Sequence, residues 1–172
     1  MAGLGFGGSV SLALALEVPQ RVGQVVAFCC RPRQPDDRRD FWRARREVAR
    51  TQGMAGLADA IVERWLSPEF RAARPDVDAT LRAMMKRTTV DGYCAYVGAF
   101  IEMDFTDRLG QISVPTLLVA AEHDHGGGPV ADMRTMAGRI PGAAFRLIAG
   151  SGHIVPFEAP DETSAVLDDF LR

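Results

Sequence analysis

The chain has 172 residues, of which 47% are hydrophobic and 24% charged, and its formal net charge is −2. This length suits one domain with a sizeable core, and the composition is that of an ordinary globular protein. The slight negative charge argues against a nucleic-acid partner that binds through bulk charge. The odd number of cysteines includes an adjacent pair in an apolar run, which predicts buried reduced thiols and a cytoplasmic location. They are Cys29, Cys30 and Cys94.

The first part of the chain predicts one helix and one strand. The glycine-rich residues 3–8 lead into a predicted helix over 9–17, which Pro19 ends. The apolar stretch 10–16 follows no basic residue and is too short for a membrane span. We therefore expect neither a signal peptide nor a membrane partner. The continuous apolar run over 23–30 is typical of a strand that is covered on both faces.

The middle of the chain, residues 31–105, has helical periodicity and no strand signal. Apolar residues recur every three or four positions over 54–65 and again over 93–101. They do so also over 77–85, where Asp76 is a candidate N-cap. We expect these helices to form a lid inserted between two strands of a sheet.

The last part of the chain returns to alternating strands and helices. Such alternation with short connections predicts parallel strands and right-handed crossovers. The expected fold class is therefore α/β, with a parallel-sheet core formed by residues 1–30 and 106–172 and an all-helical lid at 31–105. The predicted elements of this last part are strands over 115–121 and 144–149 and helices over 129–140 and 161–171.

Two polar loops follow the last two predicted strands, at the strand ends where parallel sheets carry their active groups. Asp124 lies in the first loop and His153 in the second. We expect their side chains to meet, because both loops leave the same edge of the sheet. An Asp that accepts the Nδ1 proton of a His fixes its tautomer and stabilises the imidazolium. Taken singly, each residue is more often structural; as a pair they are the candidate acid and base.

The segment from Gly3 to Gly7 has the spacing of a G-x-S-x-G nucleophile elbow, and a predicted helix follows it. Its central residue is Gly5, which suits the strained turn but brings no hydroxyl. The backbone N–H of Phe6 is the candidate oxyanion donor. The second donor normally comes from a loop far upstream, which this sequence does not contain.

Longer stretches resemble the C-terminal two-thirds of the 3-oxoadipate enol-lactonases, which belong to the α/β-hydrolase fold family. The resemblance implies hydrolysis of a small anionic enol-lactone or other carboxylic ester in aromatic catabolism, with neither a cofactor nor a metal. It places Asp124 at the acid position, His153 at the base position and Gly5 at the nucleophile position. The stretches that carry it are residues 53–65, 91–93, 104–117 and 152–160.

The same resemblance implies that Trp65, Met85 and Tyr93 of the lid contact the substrate. Gly5 departs from the family pattern, and the sequence begins at the elbow, so we expect a truncated protein that is inactive or weakly active. One alternative is a non-catalytic module that pairs through an exposed sheet edge, either as a homo-oligomer or with a complementing N-terminal chain. Another is a hydrolase in which His153 and its Asp partner activate water.

Other patterns allow further interpretations. Residues 3–8 also fit G-x-G-x-x-G, but a dinucleotide site needs a preceding strand and a later carboxylate. His123 and His125 could ligate a metal if a distant third ligand exists. The arginines over 31–50 alternate with acids and predict a solvated lid face, where one of them could hold a substrate carboxylate. Candidates for a displaced nucleophile are Ser9, Ser11 and Cys94.

Overall fold

Four parallel strands form a single sheet in the computed structural model, which describes all 172 residues. The strands pair in chain order, β1-β2-β3-β4, so β1 and β4 lie at the two edges. The prediction of a parallel α/β sheet is therefore confirmed. The strands are β1 at Ala2–Leu4, β2 at Val25–Phe28, β3 at Thr116–Ala121 and β4 at Ala144–Ile148.

Nine helices accompany the sheet, and none is both long and apolar enough to cross a membrane. Two short 3₁₀ turns, at Pro19–Arg21 and Thr106–Gln111, precede β2 and β3. The helices are α1 at Phe6–Glu17, α2 at Asp36–Gln52, α3 at Ala55–Trp65, α4 at Pro68–Ala73, α5 at Pro75–Arg87, α6 at Val90–Glu102, α7 at Val130–Arg139, α8 at Val155–Glu158 and α9 at Pro160–Leu171.

The chain divides into two compact units. The sheet unit, Met1–Pro32 with Phe105–Arg172, holds all four strands together with α1 and α7 to α9. The helical unit, Arg33–Asp104, holds α2 to α6. That the helical unit acts as a lid stays a prediction.

The central strands form the core of the sheet unit, because every residue of β2 and β3 is buried. This explains their continuous apolar sequences, which lack the alternation of a half-exposed strand. On the edge, Gly3 lets α1 approach β1 closely, since a Cβ there would overlap the backbone of Gly7. Gly3 thus lies within a strand, and the glycine motif does not follow one as a dinucleotide loop would.

The helical unit has its own apolar core, to which α2, α3 and α6 contribute. The expected helical stripes are present, but the predicted cap of α5 is wrong. Its N-cap is Arg74, and Asp76 lies in the first turn, where its carboxylate accepts from the Arg74 guanidinium at 2.8 and 2.9 Å. The buried residues of this core are Ala49, Met54, Leu57, Ile61, Tyr93, Val97 and Ile101.

Candidate active site

The structure brings Asp124 and His153 together after β3 and β4. The His153 Nδ1 atom lies 2.9 Å from the Asp124 Oδ2 atom. Two further hydrogen bonds join the loops: the backbone N–H of His123 donates to the Ser151 carbonyl at 2.9 Å, and the N–H of Gly150 donates to the Glu122 carboxylate at 2.8 Å. The expected contact is observed, while its catalytic role stays a prediction.

Asp124 is held by an array of backbone donors. Its side chain is nearly inaccessible, and its Oδ1 atom accepts from the N–H groups of Gly126 at 3.0 Å and Gly127 at 2.7 Å. Its Oδ2 atom accepts from Gly128 at 2.7 Å as well as facing His153. Burial alone would raise the pKa of Asp124, but its interactions with His153 and the backbone donors hold it well below its usual range. The carboxylate is therefore ionised and fixed in one orientation.

Two glycines of this loop are needed for its close approach to the site. A Cβ on Gly127 would overlap the ring atoms Cε1 and Nδ1 of His153. A Cβ on Gly128 would lie 2.6 Å from the backbone carbon of Cys29, which is too close for any side chain. The unusual glycine content of residues 126–128 thus has a steric cause: it lets three consecutive amides reach Asp124.

Arg31 anchors the glycine loop from the other side. Its Nε–H donates to the Gly127 carbonyl at 2.9 Å, and its guanidinium pairs with the Asp132 carboxylate of α7 at 2.9 Å. The sequence predicts a solvated lid face for this arginine. That prediction is wrong, because Arg31 is buried and belongs to the sheet unit.

Gly5 lies between β1 and α1 and faces His153. Its φ of 57° and ψ of −120° are in a region that favours glycine, and its N–H donates to the Phe28 carbonyl at 2.9 Å. A Cβ built on Gly5 would lie 3.1 Å from the His153 Nε2 atom, with only atoms of that ring within 4 Å. Phe6, the predicted oxyanion donor, is the first residue of α1.

Cys29, which follows β2, is a neighbour of the pair that the sequence interpretation missed. Its φ of 47° is unusual for a residue other than glycine, and its side chain is fully buried. Its sulfur, an Asp124 carboxylate oxygen and a His153 ring nitrogen all lie within 4.8 Å of one another. Burial and the Asp124 charge raise the pKa of the Cys29 thiol well above its usual value, which favours the neutral thiol.

The structure also bears on the predicted metal site and on the predicted buried thiols. Cys29, Asp124 and His153 form the single group of potential metal ligands, and the exposed His123 and His125 lie outside it. The two histidines therefore have no third ligand. The predicted burial of Cys29 and Cys30 as free thiols is confirmed.

The proposed displaced nucleophiles all contact backbone carbonyls. Ser9 is fully buried and donates to the Arg31 carbonyl at 2.7 Å. Ser11 donates to the Gly7 carbonyl at 2.9 Å, one turn earlier in α1. The Ser11 contact is the usual one of a helical serine, and neither hydroxyl donates to the candidate base. Cys94 lies in the helical unit, 3.9 Å from the Arg46 carbonyl.

The three predicted substrate contacts lie close together in the helical unit. Tyr93 is buried in its hydrophobic core, and Trp65 and Met85 pack against that core as half-buried side chains. The structure therefore gathers them into one apolar cluster. Their role toward a substrate stays a prediction.

Known proteins with similar sequences and structures show which family this chain resembles. A sequence profile of the alpha/beta hydrolase family matches residues 1–166. The chain is 27% identical to 3-oxoadipate enol-lactonase 2 of Acinetobacter baylyi over 170 residues, which is 99% of this chain and 62% of that protein. The enol-lactonase of Burkholderia xenovorans superposes with a TM-score of 0.93 at 30% identity, over 99% of this chain and 64% of that one.

A second solved structure, a thermophilic esterase from Thermogutta terrifontis, superposes with a TM-score of 0.91 at 26% identity. This superposition covers 99% of this chain and 63% of the esterase chain. The chain thus spans less than two-thirds of the length of these relatives. The expected fold and the resemblance to 3-oxoadipate enol-lactonases are both confirmed.

Proposed function

The chain belongs to the alpha/beta hydrolase family, and we propose that it forms an enol-lactonase-type site for small carboxylic esters or lactones in which Gly5 occupies the nucleophile position. The relatives named as enol-lactonases and esterases support this substrate class. The function follows most directly from one observation. The Cβ position of Gly5 lies 3.1 Å from the His153 Nε2 atom.

That distance fits a nucleophile–base pair with the hydroxyl removed. Asp124 accepts from the Nδ1 atom of His153, so the neutral ring carries its proton there and leaves Nε2 as the acceptor. A seryl oxygen bonded to a Cβ at residue 5 would fall within hydrogen-bonding reach of Nε2. In this site His153 is the base, Asp124 orients it, and the Phe6 N–H donates to the oxyanion.

Without a side chain at residue 5, no covalent acyl-enzyme can form at that position. The remaining contributions are substrate binding and oxyanion stabilisation, which in serine hydrolases leave only a small part of the rate. The chain is therefore an inactive or weakly active hydrolase. Its substrate in the proposed role is an anionic enol-lactone of aromatic catabolism.

Turnover of 3-oxoadipate enol-lactone and of p-nitrophenyl acetate by Gly5→Ser tests this function. We expect the Gly5→Ser rate to exceed that of the unsubstituted chain by at least about a hundredfold, because triad nucleophiles contribute far more than that. Gly5→Ala is the matched control, since it shares the backbone strain of Gly5→Ser but adds no hydroxyl. A Gly5→Ser protein that is folded and no faster than Gly5→Ala would contradict the proposal.

The same geometry supports a second candidate reaction, in which His153 deprotonates a water molecule. Apart from its chain neighbours, only the His153 ring lies within 4 Å of the Cβ position of Gly5, and a water molecule there could donate a hydrogen bond to Nε2. In this case the unsubstituted chain hydrolyses the ester, and both His153→Ala and Gly5→Ala abolish the activity. Loss in His153→Ala alone would instead indicate a nucleophile elsewhere.

The remaining expectations stay predictions. They are the cytoplasmic location, the truncation, and the alternative role as an interaction module that pairs with another copy or with a complementing N-terminal chain. Analytical ultracentrifugation of the purified chain tests the pairing. A stable monomer at all concentrations would speak against the module.

A further inference from the structure

Arg45, near the middle of α2, is a buried cation without a counter-ion. Only 9% of the residue is exposed, its guanidinium forms no ion pair, and its Nε atom has no hydrogen-bond partner. Other arginines of the same helix do pair with acids one turn away, as Arg43 does with Asp40 and Arg50 with Glu47. A buried charge without a partner is strongly destabilising in general, so its retention calls for an explanation.

Aromatic rings supply part of the environment of Arg45. Its Cζ atom lies 5.2 Å from the centre of the Phe41 ring and 5.6 Å from that of Trp42. Two further guanidinium groups, those of Arg38 and Arg64, also lie within 5.2 Å of the Phe41 ring. Cation–π contacts compensate a buried guanidinium only in part.

Two more buried groups near Arg45 lack acceptors. The hydroxyl of Tyr93 forms no hydrogen bond of good geometry, and the charge of Arg45 and its contact with this hydroxyl oppose the burial-driven rise of the Tyr93 pKa. The amide of Gln34 accepts from the Trp42 indole N–H at 3.0 Å through its oxygen, which leaves its Nε2 atom without a partner. Each unsatisfied atom can donate a hydrogen bond, and no acidic side chain accepts one from any of them.

We propose that Arg45, together with Tyr93 and Gln34, binds the carboxylate of a small organic acid within the helical unit. A carboxylate supplies the negative charge and the acceptor lone pairs that all three groups lack, and guanidinium–carboxylate pairing is the strongest such contact. The inference rests on the proposed function in one respect: the acid chosen as the probe, 3-oxoadipate, belongs to the ligand class of that function.

The test is isothermal titration of the unsubstituted chain with 3-oxoadipate, and with its dimethyl ester as the uncharged control. We expect 3-oxoadipate to bind and the diester to bind at least about tenfold more weakly, because charged hydrogen bonds contribute on that scale. Arg45→Met should raise the Kd at least about tenfold, and Tyr93→Phe should raise it by about threefold or more. Equal affinity of the acid and the diester would overturn the proposal, as would no binding of the acid at millimolar concentration.

Arg82 provides a matched control on α5 of the same unit. Its guanidinium already pairs with Asp59 at 2.7 Å and with Asp78 at 2.6 Å. Arg82→Met should therefore lower the melting temperature without changing the Kd of 3-oxoadipate. Arg45→Met should do the opposite: it should keep or raise the melting temperature of the ligand-free chain while losing the rise that 3-oxoadipate produces. A fall in ligand-free stability similar to that of Arg82→Met would show that Arg45 has only a structural role.

Failure of this proposal and failure of the proposed reaction are separable, because the titration needs no turnover. If Gly5→Ser stays inactive while binding of 3-oxoadipate depends on Arg45, the carboxylate site stands and the reaction does not. If Gly5→Ser hydrolyses the lactone and Arg45→Met has an unchanged Kd, the reaction stands and the carboxylate site does not.

Discussion

The two units of this chain each bury a charged side chain, and they surround it in opposite ways. In the sheet unit, Asp124 accepts hydrogen bonds from three consecutive backbone amides and faces His153. In the helical unit, Arg45 lies against aromatic rings and has no acceptor at its Nε atom. The carboxylate has its partners built into the chain and is preorganised. The guanidinium lacks one, which is the condition that a ligand would complete.

The largest effect expected from this difference is on stability when each charge is removed. Asp124→Ala should lower the free energy of unfolding by about 3 kcal/mol or more, because it leaves three buried or part-buried N–H donors without their acceptor. Arg45→Met should leave it unchanged or raise it, since no partner is left unpaired. Urea denaturation of both variants measures the difference. Equal losses would mean that the two charges are stabilised alike and that the comparison fails.

An intermediate effect is expected where the glycine loop touches His153. Gly127→Ala should cost about 2 kcal/mol of stability, because its Cβ would overlap the imidazole ring. In a Gly5→Ser background it should also lower kcat by about a hundredfold, through displacement of the base. Gly138→Ala in α7 is the control, since nothing lies within 4 Å of its Cβ; it should be neutral or slightly stabilising. A Gly127→Ala protein as stable as this control would refute the steric role of the glycine.

The smallest effect concerns pH. The pKa of Asp124 is lower in the folded chain than in the unfolded one, so its contribution is present above pH 4 and is lost as the pH falls below that. Between pH 5 and pH 3 this group should account for about 1 kcal/mol of lost stability. The pKa of Asp76 and of Asp78 is also lowered, so the measurement is the difference between the unsubstituted chain and Asp124→Asn. Parallel pH profiles of these two proteins would contradict the assignment.

The acid–base pair was predictable because it follows from the order and direction of the strands in the sheet. Buried apolar runs identify β3 and β4, and polar residues directly after two parallel strands must share one edge of the sheet. The contact between Asp124 and His153 follows from that rule alone. Cys29 was not predictable in the same way, since its approach depends on a positive φ that an apolar run does not reveal.

The unpartnered state of Arg45 could not be predicted, for a different reason. The sequence shows an α2 rich in both arginine and acid, and helical spacing pairs most of these charges on the surface. Trp42, Arg45 and Ala49 share one helical face, but only the packing of α2 in the helical unit shows that this face is buried. β1 also escaped prediction, because three residues that include a glycine carry no strand pattern.

The backbone amides that hold Asp124 affect which parts of such a site a mutation can remove. Each donor of the glycine loop is a backbone N–H, which every amino acid except proline also carries. The support of the acid is therefore provided by the main chain, although at residues 127 and 128 any side chain would overlap neighbouring atoms. The nucleophile, in contrast, is one side chain, and a change to glycine at residue 5 removes it while the backbone of the turn persists. A lineage can thus lose the reaction through one substitution and keep the other residues of the site. The reverse substitution would restore the nucleophile.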